Sequence, residues 1–595
     1  VSNHRLTAIL VVALVAVTAV NVALFFARGR APEPAAPPAD DPIARDFALL
    51  DQNGRFHQLS RLAHARAVVL FTHGVGCPIV RQTMPTLKSL RARFEPQGVV
   101  FLMINANPQD DRAAIAADAK ALDIEIPILR DSAQLVTEEL GVKRTAEAFV
   151  IDPSTWRVRF HGPVDDRLYY ELQKAEAKHH YLRDAIEAQL AGGPMPTDVP
   201  PGLGCLVTAH AAAAARPSYA RDVVPILREK CVPCHRPGGA GPWSMDNYDT
   251  VRGWSAMMRE VIMTRRMPPW HADPQYGDFT PDRSLSIEQM RALVHWIDDG
   301  APRGEGPDPL AQNPPTAAPE WPLGPPDVVI ELPEQAIPAR GAIEYRYITV
   351  PVPIDRDAWV RAVDLRPSNA AVMHHAFAFL QYPKRLKDEQ PDWGEGIESY
   401  FAGYVPGYDV LPFPSGSGEF VPGGSSLLFQ LHYTTLGHDT TDRPRLGLYL
   451  YDQPPPRELV TASAPNVDIV IPPHDPDYHT AATAYIDRDA ELVSFFPHMH
   501  YRGSWMRYEA RMPDGRRETL LSVPNYRFNW QSLYRLSEPI KLPAGTTMFV
   551  TGGFDNSEDN PFNPDPDKEV RWGLQSWEEM FVGYFQYTVE RKDRD

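Results

Sequence analysis

Cysteine is scarce: the 595 residues hold only Cys77, Cys205, Cys231 and Cys234, so no disulfide framework holds this chain. Basic charge is short too. The formal net charge is −17 and no Lys/Arg cluster stands out, which argues against nucleic acid as a partner. Proline is plentiful, at 61 residues, many of them clustered. That favours linkers and irregular β-structure over one helical body. The length allows about four domains of ordinary size.

An uncharged apolar run from Leu6 to Phe26 is long enough for a bilayer, which needs about 20 residues, and longer than the core of a cleavable signal. Residues 1–27 are expected to be an uncleaved membrane anchor. Arg5 precedes the span while Arg28 and Arg30 follow it, so flanking charge alone does not orient it. Residues 28–45 read as a stiff Ala/Pro-rich linker.

Residues 46–195 carry a β/α pattern. Buried-type strands are expected at Ala67–Thr72, Val99–Asn105 and Ala148–Asp152, with helical segments between them. Gly74-Val75-Gly76-Cys77-Pro78 places Cys77 at a strand-to-helix turn, where a helix N-terminus lowers a thiol pKa. In this the segment resembles the thioredoxin-like redoxins. It departs from them at Val80, where a second thiol would stand, and at Thr145-Ala146-Glu147, where the fold usually has a cis-proline. A docking or scaffold role is therefore expected over a self-contained dithiol oxidoreductase. Residues 196–216 read as a linker containing Cys205, which either pairs with Cys77 as a disulfide outside the cytosol or remains a separate thiol.

Residues 217–306 form the next unit. A helical segment, Tyr219–Lys230, runs into Cys231-Val232-Pro233-Cys234-His235, the attachment signal for c-type haem. Zinc would need a second nearby ligand pair, and none is present. The thiols of Cys231 and Cys234 would bond the haem and His235 would coordinate iron. Met267, followed by two prolines, is chosen as the sixth ligand over Met245, Met258, Met263 and His271. A closing helix is expected over Ser286–Gly300. The unit resembles a small all-α class I cytochrome c. Such haem attachment occurs outside the cytoplasm, which implies a periplasmic body anchored to the inner membrane.

After a Pro-rich linker at 307–326 the chain turns β-rich, with short strands between Pro/Gly turns, as in two antiparallel sandwiches at 327–455 and 456–595. Four motifs occur there: Val372-Met373-His374-His375, Gln430-Leu431-His432, His498-Met499-His500, and a late Met580. His498 and His500, one residue apart in an apolar run, read as a strand with both imidazoles on one face. Imidazoles with a soft thioether suit copper, whereas Met is a poor ligand for magnesium or calcium.

In that order the motifs resemble the type II copper monooxygenases, the group of peptidylglycine alpha-hydroxylating and dopamine beta-monooxygenases, over about residues 326–590. The resemblance implies two jelly-roll-like copper domains. His374, His375 and His432 would hold an electron-storing copper, and His498, His500 and Met580 an oxygen-activating one. Gln430 and Tyr584 match family positions near the path between the sites and the substrate. Phe496 stands where the peptide-hydroxylating members carry an arginine that clamps the substrate carboxylate, so an apolar or aromatic small molecule is expected instead. The expectation is a monooxygenase using two coppers and one covalent haem, with O2 and an upstream periplasmic or membrane electron donor. The alternatives are a non-catalytic copper-binding or copper-delivery protein and a plain electron-transfer protein.

Overall fold

The computed structural model describes residues 42–169, 172–210, 216–384, 386, 400–407 and 410–592. The expected anchor at 1–27 lies outside them. No helix among the described residues is long and apolar enough to cross a membrane.

The first unit is a five-stranded sheet in the order Ile128–Arg130, Val99–Asn105, Ala67–His73, Ala148–Asp152, Arg157–Gly162. Ala67–His73 is buried along its whole length, as a central strand covered on both faces must be. It pairs in parallel with Val99–Asn105 and antiparallel with Ala148–Asp152. The following helix, Pro78–Phe94, starts with Pro at its first position and Cys77 as its N-cap. This is a thioredoxin-like α/β arrangement. Residues 205–207 do not act as linker. They lie alongside Lys143–Thr145, with Thr145 N–H donating to the Cys205 carbonyl at 2.8 Å and Val207 N–H to the Lys143 carbonyl at 3.0 Å.

The second unit is helical. Tyr219–Val223, Val224–Ile226 and Leu227–Cys231 follow one another into the Cys-x-x-Cys-His turn. Ile287–Asp298 begins with a capping box between Ser286 and Gln289. This unit shares one apolar cluster with the first. Charges seal the seam: Arg259 bonds Glu139 at 2.6 Å, Arg45 bonds Asp298 at 2.9 Å, and Arg291 bonds Glu138 at 2.8 Å.

The remainder is β-structure. In the first sandwich a four-stranded sheet, Arg346–Pro351, Ser426–Tyr433, Met373–Gln381 and Tyr400–Tyr404, packs on Val328–Glu331, Arg445–Leu450, Ala358–Arg366 and Ser417–Val421. In the second, Tyr478–Ile486, Thr546–Phe554, Gly503–Arg511 and Arg517–Val523 pack on Arg457–Pro465, Val582–Glu590, Ala490–His498 and Tyr534–Leu542. The two sandwiches are joined rather than separate. Ser417–Val421 pairs in parallel with Arg457–Pro465, so one eight-stranded sheet runs through both. Nor is 307–326 a loose tether: Arg445 lies over the Trp321 ring and bonds Glu320 at 2.7 Å.

Candidate metal centre between the two sandwiches

Strand alternation sorts the residues. Along Ser426–Tyr433, Leu427, Phe429, Leu431 and Tyr433 enter the first core, which leaves Gln430 and His432 on the opposite face. Adjacent histidines would ordinarily point to opposite faces. The register here shifts between Met373 and His375, so Met373 pairs with Tyr433 and His375 with His432, and His374 is the extra residue of a bulge. The bulge turns both histidines toward one point. Ligand atoms of His374, His375 and His432 all lie within 4.8 Å of one another. Nδ1 of His374 approaches Nδ1 of His375 to 2.9 Å, while its Nε2 donates to Asn529 at 2.8 Å. His375 Nε2 and His432 Nδ1 are buried with no partner.

The second set sits opposite. Phe495 and Met499 enter the second core while Phe496 faces the first sandwich, packed with Phe377, Met580 and Tyr584. The expected strand through His500 ends at His498. The buried Glu579 carboxylate ends it, accepting the backbone N–H groups of His500 at 2.8 Å and Arg502 at 2.6 Å. The two imidazoles are therefore not parallel neighbours on one strand face. Their planes stand at 90° with centroids 5.3 Å apart. Each Nδ1 is occupied, His498 donating to Gln531 Oε1 at 2.7 Å and His500 to the Glu578 carbonyl at 3.2 Å. Each Nε2 is thereby the nitrogen left to a metal, the arrangement by which an outer hydrogen bond orients a ligating imidazole. Met580 is buried just before Val582–Glu590, in the apolar cluster of Phe496 and Tyr584.

One loop touches both sets. Gln531 bonds His498 and places its amide nitrogen 3.5 Å from His375 Nδ1. The Phe528 ring lies 4.9 Å from His374, 5.7 Å from His375 and 5.7 Å from His500. Tyr345 adds a ring 4.6 Å from His432. None of these residues, nor Asn529 or Glu579, is marked in the sequence by motif or period; an aromatic-rich loop from Tyr526 to Gln531 is the only hint. Burial disfavours the charged form, holding His432 down at about 3 and His498 at about 4, with His374 lowered and His375 and His500 well below the usual range. All five are neutral near pH 7, as a metal ligand must be. Neutral buried imidazoles with bare nitrogens fit copper, and Met580, packed with Phe496 and Tyr584, would offer a soft thioether only if it turned toward His498. Of the other expected residues, Gln430 donates to the Tyr347 hydroxyl at 3.0 Å, and Tyr584 lies 6.5 Å from His498, ring to ring.

At the haem motif, His235 Nδ1 donates to the Trp243 carbonyl at 3.0 Å, which leaves Nε2 for iron. Gly241 passes so close that a methyl there would stand 2.7 Å from His235 Nδ1. These residues would suit a ligating imidazole on His235. Met245, Met258 and Met263 belong to the core against which Cys231 packs; Met267 follows the Ser255–Met263 helix and is half-buried. His271 lies next to Trp270, which packs on the second sandwich. Cys234 abuts the first sandwich, since a methyl at Gly407 would stand 3.2 Å from its sulfur.

In the α/β unit the Cys77 and Cys205 sulfurs lie 3.0 Å apart, with Thr145 Oγ1 at 3.1 Å from Cys77 and accepting Cys205 N–H at 2.9 Å. Bonds from Cys205, Thr145 and the backbone outweigh burial and lower the Cys77 thiol, while burial and the neighbouring sulfur raise Cys205.

Residues 41–164 match the AhpC/TSA family. The α/β unit is thus a thioredoxin-like redoxin domain. Among solved structures, a hypothetical protein from Sinorhizobium meliloti 1021 is similar at 25% identity, over 30% of this chain and 98% of that one, with a TM-score of 0.27. An uncharacterized conserved protein from Geobacillus kaustophilus is similar at 25% identity, over 29% and 93%, with a TM-score of 0.27. Peroxidoxin BcpB from Mycobacterium tuberculosis is similar at 23% identity, over 26% and 94%, with a TM-score of 0.20. No curated protein matches the chain.

Proposed function

We propose that the chain is a copper-dependent monooxygenase that hydroxylates a C–H bond of a small organic substrate, fed with electrons through its own c-type haem. The observation that carries this reading is the facing of two donor sets, His374/His375/His432 and His498/His500, across Gln531 and Phe528. The balance is substrate, O2, two electrons and two protons giving the alcohol and water. Copper at these positions supplies one-electron redox chemistry and O2 activation.

The chain's own residues do the rest. Gln531 and the Glu578 carbonyl fix the ring orientation of His498 and His500. Asn529 does the same for His374. Phe377, Tyr400, Phe496 and Tyr584 make an aromatic wall beside His498, with Phe496 5.7 Å from Phe377 and 6.0 Å from Tyr584. That wall excludes water and offers no cation to a carboxylate, which favours an apolar or aromatic substrate. The haem motif is near the first donor set in connectivity: Cys234 adjoins Gly407, Gly407 follows Tyr404, and Tyr404 pairs with Ala376, the neighbour of His375.

The redoxin domain supports a redox role but does not name the reaction. With its thiols 3.0 Å apart it favours a second reading, copper binding or delivery without turnover. Purified full-length protein given labelled O2 and candidate substrates separates the two. Label in the product together with two coppers and one haem per chain supports the monooxygenase; stoichiometric copper with no O2 consumption supports delivery.

A further inference from the structure

A cavity of about 470 Å³ lies between the redoxin domain and the second sandwich, and none of the candidate histidine ligands lines it. One wall comes from Asn53–His57 and Arg61. The other comes from the outer sheet of the sandwich and the loop Pro524–Arg527. Its polar lining mixes bases with two carboxylates, Asp477 and Asp555. His57 is paired with Asp51 at 3.0 Å, His479 with Asp477 at 2.9 Å, and Arg55 with Asp477 at 3.8 Å. Asp555 accepts from Ser557.

Three further guanidinium groups, Arg61, Arg507 and Arg527, have no direct hydrogen bond or ion pair among the described residues, although the carboxylates of Asp555 and Asp46 attract Arg61 from farther off. Each rests on an aromatic ring instead: Arg61 on Phe56, Arg507 on Tyr276 and Arg527 on Phe562, at 5.4, 5.8 and 4.7 Å. Nε of Arg61 and of Arg507 is buried without an acceptor, and so is Nδ2 of Asn525, a residue only 5% exposed. All the unsatisfied buried groups in this cavity are donors. Leaving such a donor buried and unpaired is costly, and more so if it is charged. The charges also oppose one another: burial, then Arg61 and Arg266, hold Arg527 down to about 9.

We propose that this cavity is a binding site for a small oxyanion, a carboxylate- or phosphate-bearing molecule. Planar guanidinium groups pair with such oxygens bidentately, and the amide of Asn525 supplies a further donor. The volume is that of a small-molecule site rather than a single-water void. One wall residue, Tyr526, donates its hydroxyl to the carbonyl of Met499 at 2.6 Å, so the cavity backs onto the turn that carries His498 and His500.

The test is isothermal titration calorimetry of the full chain with inorganic phosphate and, separately, with succinate, at ionic strength held constant with chloride. Saturable binding of either is expected, phosphate alone marking a phosphoryl ligand and succinate alone a carboxylate. Arg61→Met should weaken it at least about tenfold, the loss of one charge-assisted bond. Asn525→Asp, which keeps the side-chain shape and adds a repelling charge, should do the same if Arg61→Met fails to fold. No saturable heat with either probe, or an unchanged affinity in Asn525→Asp, overturns the proposal.

Discussion

The carboxylate of Glu579 accepts the backbone N–H of His500 at 2.8 Å, and its other oxygen takes the N–H of Arg502 at 2.6 Å. A residue fully buried beside Met580 thus ends one strand and fixes the turn that carries a candidate ligand. Glu579→Gln keeps the volume but leaves one of those N–H groups facing an amide donor. It should cost about 2 kcal/mol of stability in denaturant unfolding. It should also weaken metal at the second donor set more than at the first, as metal analysis on dialysed protein would read.

Met580→Ile keeps an apolar side chain in the same cluster and removes the thioether. Copper(I) affinity at the second set should fall by one to two orders of magnitude, about 1.4–2.8 kcal/mol, with haem content unchanged. His374→Ala should empty the first set alone. A single copper lost equally in His374→Ala and His498→Ala would end the two-site reading.

Cys77 and Cys205 are expected to be bridged in mature protein outside the cytosol, because their sulfurs already lie 3.0 Å apart and Thr145 holds both. Peptide mapping without reduction reads this directly. Two thiols that alkylate fully in the native protein would refute it.

Asp131 is fully buried, and burial raises its carboxyl from 3.8 to about 6 despite the bonds from Thr137. Below 3.8 it is protonated in both folded and unfolded chains, so its burial penalty is absent. Between 3.8 and about 6 the unfolded chain releases the proton first, and stability falls by up to about 3 kcal/mol before levelling off. Asp131→Asn should flatten that decline relative to the parent when unfolding is followed across the window.

Much of this was legible in the sequence where periodicity or a motif carried it. The alternation of Gln430 and His432 against Leu427, Phe429 and Leu431 specifies a face, and the Cys-x-x-Cys-His spacing from Cys231 to His235 specifies a turn that the structure forms at the end of a helical segment. The pairing of His374 with His375 was legible as a motif, but not the bulge that aims both, since a bulge leaves no period. The outer hydrogen bonds were not legible: Asn529 lies 155 residues from His374, and Gln531 lies 33 from His498 and 156 from His375. The reading of His498 and His500 as one strand face failed because Glu579, from a distant segment, breaks the ladder between them. The linkers at 196–216 and 307–326 read as loose from composition, yet Cys205 and Trp321 pack.

Electron supply and substrate can be tested together. The Cys-x-x-Cys-His turn is packed onto the first sandwich. Gly407, at φ +78, brings the chain against Cys234, and Tyr404, three residues earlier, is in register with Ala376. Reduced haem at His235 should therefore pass electrons first to the His374/His375/His432 copper, twice per turnover. Stopped-flow mixing of prereduced protein with O2 and a candidate substrate should show haem oxidation keeping pace with product. Replacing Gly407 with Val should slow that phase while leaving haem and copper content intact, because a branched side chain forces Cys234 and the sandwich apart. Haem that stays reduced through many turnovers would exclude the cytochrome as donor. The same experiment compares an aromatic substrate with a glycine-extended peptide. Phe496 packs on Phe377 and Tyr584 where a carboxylate clamp would need a cation, so the aromatic molecule should be the faster. Efficient hydroxylation of the peptide would show that another residue holds the carboxylate.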